Sequence, residues 1–369
     1  MSAKQRLTSL DALRGLTIFG MIIVNDPADW SAAYKPLLHS DWAGCTPTDL
    51  VFPFFLFIMG FSLFLSTQNR LLKGDSKSTL FRHLLKRSAI IFGIGLILNG
   101  FPYNHLENLR ILGVLQRIAL VNFFCGTMLI YSSRSFRLFI GSLILLSYWI
   151  LLSFIPSPLS PVPTFAYETN WVAWLDQLIL RNHTWEQMPL MDPEGILSTF
   201  PAIVTGLIGI EIAYFFTKNP DKKEKAVILF LAGFLLTAAG LAWGAIFPMI
   251  KKMWTSSYVL YTAGLASMTL GAFYWLIDHH KKESWVKLLV AFGTNPLALY
   301  VGAELIAMII GQFPVFGAQK LSLNGWLFQS LQASGMSADN ASLTWALLYV
   351  GLWAIVATVL YRRKIIIKV

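Results

Sequence analysis

Asp49-Leu50-Val51-Phe52-Pro53-Phe54-Phe55-Leu56-Phe57-Ile58-Met59-Gly60-Phe61-Ser62-Leu63-Phe64-Leu65-Ser66 carries a single charge, at its first position. A bilayer core about 30 Å thick takes about 20 mostly apolar residues as a helix, so this run reads as a membrane span. Nine more runs lie to either side of it, at 9–26, 88–101, 110–131, 137–155, 195–216, 226–247, 257–277, 286–310 and 343–361. The run at 88–101 is short, and 286–310 is interrupted at Gly293-Thr294-Asn295-Pro296. The whole chain has 369 residues, of which 56% are hydrophobic and 13% charged, against about 25% charged in soluble domains. Two cysteines exclude a disulfide framework and a Cys-rich zinc site, and no metal is expected. The net charge of +10 stands beside 13 Trp and 27 Phe, a composition that excludes disorder and speaks against a nucleic-acid partner. The expected fold is an all-α polytopic membrane protein of about ten transmembrane helices, forming one domain over 1–369.

Lysine and arginine in short flanking loops set orientation. With the N-terminus on the cytoplasmic side, the inner segments hold 21 of the 29 cations, among them Lys4, Arg6, Arg70, Lys73, Arg134, Lys218, Lys281, Arg362 and Lys368. The outer segments hold six: Lys35, Arg110, Arg181, Lys251, Lys252 and Lys320. Both termini are therefore expected in the cytoplasm. The first run carries Asp11 and Arg14 and lacks a small-residue cleavage site, so it is expected to remain as the first span. The outer segment 156–194 is long, Pro-rich at its start and then aromatic. Such a segment is either a functional lid or a passive hairpin lying on the bundle.

Charges inside a span are costly and point to function or to pairing. Asp11 and Arg14 are spaced to pair on one helix face, or Ser9-Leu10-Asp11 caps the helix start. Arg117, beside Gln116 and seven residues after Arg110 on the same stripe, suits either an anionic ligand or a distant carboxylate such as Glu304 or Glu211. Asn295-Pro296 reads as an N-cap followed by proline at the first helical position. The ninth span is therefore expected to break there, its new N-terminus offering free N–H groups to a phosphate or an oxyanion.

Of six histidines, His279, His280 and His83 fall in cytoplasmic loops and His105 and His183 in outer ones. His39 stands apart, in Leu37-Leu38-His39-Ser40-Asp41-Trp42-Ala43-Gly44-Cys45-Thr46-Pro47-Thr48-Asp49, with acids and an aromatic close by. Asp49 is also the fourth residue of a capping-box-like Thr46-x-x-Asp49.

Several stretches together resemble a known family. They are Arg6-Leu7-x-Ser9-Leu10-Asp11-x-x-Arg14-Gly15, Val24-Asn25, His39-x-x-Trp42-x-Gly44 and Asp49 through Gly60. Further along come Gly113-Val114-Leu115-Gln116-Arg117, Asp192-Pro193-Glu194-Gly195, Lys252-x-Trp254-x-x-Ser257-Tyr258 and Asn295-Pro296-Leu297-x-x-Tyr300-Val301-Gly302-x-Glu304. In this order they resemble heparan-α-glucosaminide N-acetyltransferase and its bacterial relatives. The resemblance implies transfer of acetyl from cytosolic acetyl-CoA, across the membrane, to the amino group of a terminal glucosamine. It also implies a bacterial inner-membrane location. Two departures from the family pattern are visible: the chain starts directly at its first span, and Ala43 follows Trp42 where a larger polar residue is expected.

The family's essential histidine matches His39. An amine attacking a thioester needs its lone pair, and imidazole is a base suited to neutral pH, so His39 is expected to act as general base or as a transient acetyl carrier. Asp49 or Asp41 is expected to orient it, and Asn25 to hydrogen-bond the thioester oxygen. Acetyl-CoA is expected to meet Arg14, Asp11, Gln116, Arg117, Asn295 and Ser257, and the acceptor Asp41, Trp42, Glu194 and Glu304. Two alternatives stand: a secondary transporter for a sugar or amino sugar, and an O-acyltransferase acting on a cell-envelope glycan. Lipid is the expected surrounding partner, and a homodimer remains open because membrane helix interfaces have weak signatures.

Overall fold

Each of the ten apolar runs folds as a helix or a helix pair in the computed structural model, which describes residues 7–101, 106–312, 316 and 320–367. Lys4, Arg6, His105 and Lys368 lie outside the described residues. In chain order the helices are α1 (Thr8–Asn25), α2 (Pro47–Leu72), α3 (Lys77–Gly100), α4 (Val114–Tyr131), α5 (Arg134–Phe154), α6 (Trp171–Ile179), α7 (Ile196–Lys218), α8 (Lys222–Gly244), α9 (Ser256–Phe273), α10 (Lys287–Thr294), α11 (Pro296–Gln312), α12 (Leu323–Ala333) and α13 (Ala338–Arg362). Among the described residues seven helices are long and apolar enough to cross a membrane, or eight if the pair flanking Asn295 is one span. The members of that pair are bent by 74° at the break. Two of the ten runs fall short of that measure. In α1, Asp11, Arg14 and several hydroxyl side chains dilute an 18-residue helix, and α3 begins with Lys77, Arg82, Lys86 and Arg87.

The helices group into two compact units. The first comprises Met1–Ser40, Thr46–Phe52 and Phe273–Lys368. Here α1 and α10 meet backbone to backbone. A Cβ on Gly15 would lie 1.7 Å from the Leu289 carbonyl oxygen, and one on Gly293 would lie 1.9 Å from that of Asp11. Small residues at such crossings allow close approach where apolar burial drives little. Ala12, Ile277, Val286 and Val290 form the core beside this contact. The start of α1 is capped by a residue far away in sequence, not by Ser9. Leu7 offers no side-chain cap, and the N–H groups of Thr8 and Ser9 donate to the Asp278 carboxylate at 3.2 and 2.9 Å. Asp278 lies in a single π-helical stretch, Tyr274–His279, that continues α9.

The second unit comprises Asp41–Cys45 and Pro53–Ala272, apart from the final residue. Within it α2 and α7 also touch through backbone: a Cβ on Gly60 would meet the Gly206 carbonyl oxygen at 2.0 Å, and one on Gly209 that of Phe57 at 2.2 Å. The long segment 156–194 is ordered and packed. It contains α6, capped by Asn170, which accepts from the N–H groups of Val172 and Ala173. Val172, Ala173, Met188 and Met191 join Tyr148, Leu152, Phe247, Ile250 and Met253 in a buried core.

Candidate active site

Proline at the first position of α2 and Thr46 before it start the helix where the loop from α1 arrives. Thr48 Oγ1 donates to the Pro36 carbonyl at 3.0 Å and Thr46 Oγ1 to that of Leu38 at 2.8 Å, so the loop is stitched to the first turn of α2. Asp49 is the hub of this turn. Its Oδ2 accepts from the Thr46 N–H at 2.9 Å, the Ser40 N–H at 3.1 Å and the Thr46 hydroxyl at 3.0 Å. Its Oδ1 lies 2.7 Å from His39 Nδ1. The carboxylate side chain is 0% exposed and the imidazole 37%. The capping contact and the histidine contact therefore coexist, one on each oxygen. A buried carboxylate on Nδ1 fixes that nitrogen as the donor and makes the other ring nitrogen the basic one.

Five further expected residues, Asn25, Glu304, Arg14, Asp11 and Asn295, lie in the same unit. Asn25, the last residue of α1, donates from Nδ2 to Glu304 Oε1 of α11 at 2.8 Å. Arg14 pairs with Asp11 at 3.0 Å and reaches the Gly293 carbonyl at 3.4 Å, so the i,i+3 spacing forms the pair. Asn295 turns its carboxamide to the C-terminal segment, donating to the Ile365 carbonyl at 2.9 Å and accepting from the Ile367 N–H at 2.8 Å.

The second unit holds a different constellation. Arg110 donates to Asp192 from Nε and Nη2 at 2.8 and 2.7 Å, and to Glu194 from Nη2 at 2.6 Å. It also sits over the Trp185 ring at 5.6 Å. Asp176 accepts from the N–H groups of Asp192 and Ile196 at 3.1 and 3.0 Å. Burial pushes its carboxyl up to about 7, despite those two donors. Burial also raises Asp192, against the pull of Arg110. Glu194 is held below its ordinary range: burial works to raise it, and the surrounding cations Arg110, Arg117 and Lys251 outweigh that.

Arg117 is fully buried. It donates from Nη2 to the Ser198 hydroxyl and to the Gly195 carbonyl, and lies over the Trp254 ring at 5.0 Å. Neither suggested carboxylate pairs with it. Glu211 binds Arg134 and Arg137, each at 2.9 Å, and Glu304 binds Asn25. Arg117 Nε and Nη1 and Gln116 Nε2 are buried and make no hydrogen bond among the described residues. Ser257 is buried with its hydroxyl 3.3 Å from that of Thr255. Trp42 donates its indole N–H to the Phe165 carbonyl at 2.9 Å, and the Asp41 carbonyl accepts from Lys252 Nζ at 2.8 Å. Among the described residues no group of three or more His, Cys, Asp or Glu is placed to hold a metal ion.

The family profile described as heparan-alpha-glucosaminide N-acetyltransferase, catalytic, matches residues 6–240. The chain belongs to this family. Two relatives carry the name heparan-alpha-glucosaminide N-acetyltransferase. The Mus musculus protein is 27% identical over 426 aligned positions, covering 100% of this chain and 61% of the relative. The Homo sapiens protein is 27% identical over 420, covering 99% and 60%. The chain thus spans about six-tenths of the length of the curated relatives it matches.

The matched region of this N-acetyltransferase family member encloses the His39–Asp49 pair and the Arg110 cluster. Sequence reasoning missed Ser40 as a donor to Asp49, and it missed Asp176, Ser198 and Trp254. Asp176 had a signal, being the one acid in the largely apolar Trp171–Ile179 stretch. Its carboxylate packs on Gly195, where a Cβ would lie 2.0 Å from Asp176 Oδ2.

Proposed function

We propose that this chain is a transmembrane acetyltransferase that moves an acetyl group from acetyl-CoA on the cytoplasmic side to the amino group of a glucosamine-type sugar on the opposite side. The observation that carries the reading is the His39 Nδ1 to Asp49 Oδ1 contact of 2.7 Å in a chain of this family. The 21 to 6 division of cations supports ten spans with both termini cytoplasmic, the α10–α11 bend being a broken span and 1–369 one functional domain.

His39 takes a proton from the acceptor ammonium, and the freed nitrogen lone pair attacks the acetyl carbonyl carbon. The C–N bond forms and the C–S bond breaks; the second proton shed by the nitrogen neutralises the departing thiolate, and the proton held by His39 is released to solvent. Asp49 holds the imidazole and stabilises its charged form. Asn25 donates an N–H toward the carbonyl oxygen as charge develops. Buried donors without acceptors fit the acyl donor's neutral amide carbonyls better than its phosphates. Arg117 already lies within the field of Glu194, Asp192 and Asp176, so a further anion is disfavoured beside it, whereas carbonyl oxygens satisfy Arg117 Nε and Nη1 and Gln116 Nε2. Arg14 and the cytoplasmic lysines serve the phosphates. Asp41, Trp42 and Glu194 are assigned to the acceptor side.

The test uses the purified full chain with acetyl-labelled acetyl-CoA and three acceptors: glucosamine, its N-acetylated form, and a polyol lacking an amine. Label in a hydroxylamine-stable amide of glucosamine alone is the expected result. Label on hydroxyls makes the chain an O-acyltransferase, and absence of label from all three contradicts the reading.

A further inference from the structure

The carboxamide of Asn25 is held from the side, and the element that holds it is itself braced. Glu304 Oε1 accepts the Asn25 Nδ2–H at 2.8 Å across 279 residues of sequence. One turn earlier on α11, the Tyr300 hydroxyl hydrogen-bonds Glu304. Two contacts from α13 fix the rotation of α11 around this point. The Tyr349 hydroxyl donates to the Ala303 carbonyl at 2.6 Å. The Trp353 ring packs on Gly302, where a Cβ would lie 2.5 Å from the ring. Glu304 thus has a set position, and Asn25 ends α1 facing it.

A carboxamide is nearly symmetrical in shape, and only its hydrogen-bond partners decide which end faces which way. The Glu304 oxygen that faces Asn25 accepts from the nitrogen end of its carboxamide, so the oxygen end is turned away from α11. We propose that Glu304 is a positioning residue for acetyl transfer: it locks the Asn25 carboxamide with nitrogen toward α11, and so fixes where the remaining N–H of Asn25 points. This assignment rests on the acetyltransferase reading above. It replaces the expected role of Glu304 as a direct acceptor contact. A group that works only through Asn25 has no effect once Asn25 is gone, whereas a group that touches the sugar keeps its effect.

That difference is read by a double-mutant cycle on full-length protein, measuring kcat and the KM values for acetyl-CoA and acceptor in wild type, Asn25→Ala, Glu304→Gln and the double variant. Removing a donor to a developing oxyanion costs about 10²-fold in kcat. Glu304→Gln keeps the shape but can present either oxygen or nitrogen to Asn25. It is expected to lower kcat by about 10-fold, within the coupling range of contacting residues, with both KM values within about twofold of wild type. In the Asn25→Ala background the same change is expected to do nothing. Glu304→Ala, if it folds, is expected to cost more than Glu304→Gln, because the amide oxygen of glutamine partly restores the acceptor. The assignment is overturned if Glu304→Gln costs the same factor with and without Asn25, or if it raises the acceptor KM while kcat holds. A wild-type chain that transfers no acetyl removes the acetyltransferase reading and this assignment with it. A wild type that is active, with independent effects at the two positions, removes the assignment alone.

Discussion

Asp49 and Asp192 both have fully buried side chains, yet they anchor regions of opposite character. Asp49 gathers donors from Ser40 and Thr46 on one oxygen and turns the other to an imidazole that reaches solvent. Asp192 sits among groups that bind one another: Arg110 bridges it to Glu194, and it also accepts from the Trp185 and Glu194 N–H groups at 2.9 Å each. The first carboxylate orients an imidazole that is 37% exposed. The second closes a circuit that ties the segment 156–194 to the starts of α4 and α7. What separates the two buried acids is how far the partner of each reaches solvent.

This contrast is broken most severely by removing the imidazole. His39→Ala is expected to lower acetyl transfer by about 10³-fold or more, at the upper part of the general-base range. Binding of labelled acetyl-CoA and the unfolding temperature should stay close to wild type. Near-normal turnover removes His39 from the mechanism.

Removing the cation of the closed circuit does the reverse. Arg110→Ala removes the direct partner of two buried carboxylates, and breaking such a pair costs about 3–5 kcal/mol. The effect is expected in denaturant unfolding of the detergent-solubilised protein. A variant as stable as wild type would show that the circuit is not structural.

Asp49→Asn is intermediate and sharpens the comparison, because Asp49 both caps and orients. Losing a cap costs about 1 kcal/mol, while misorienting a catalytic imidazole costs about 10²–10⁴-fold in rate. A rate loss far beyond what the stability change explains is expected, and the opposite balance makes Asp49 a capping residue alone.

The last effect is a pH dependence of stability alone. The Asp176 carboxyl titrates at about 7 in the fold against an ordinary 3.8, so the unfolded chain loses its proton first. Stability attributable to Asp176 is highest below the lower value, falls as pH rises through the interval and is flat above about 7. Asp176→Asn is expected to flatten the unfolding temperature against pH over that window. An unchanged slope contradicts the assignment.

Much of this architecture was legible because it is local. Apolar runs become helices, Asp11 and Arg14 pair at i,i+3, and Thr46-x-x-Asp49 forms the helix start it resembles. The remainder depends on which helix faces meet. Nothing near Thr8 announces that Asp278 caps it, and nothing near Asn25 announces Glu304. The acid nearest to Arg110 in sequence is Glu107, three positions before it, yet its partners lie 82 and 84 positions away. Glycines hold part of that missing information: Gly15 and Gly293 bring α1 and α10 to backbone contact, a pairing that hydropathy does not encode. Two of the ten apolar runs fall short of the length and hydropathy measure for a related reason. Short or charge-bearing runs in α1 and α3 fold as helices against neighbours without being apolar enough to cross a membrane by that measure.

Sidedness is the central claim, and proteoliposomes address it directly. The full chain is reconstituted with acetyl-labelled acetyl-CoA sealed inside and a glucosamine acceptor outside, the population of uniform orientation being selected by protease protection of the C-terminal tail. Labelled N-acetylated acceptor in the outer medium, made by wild type and absent with His39→Ala, is the predicted result. Acetylated product confined to the lumen, or movement of unmodified sugar across the bilayer without acetylation, contradicts it.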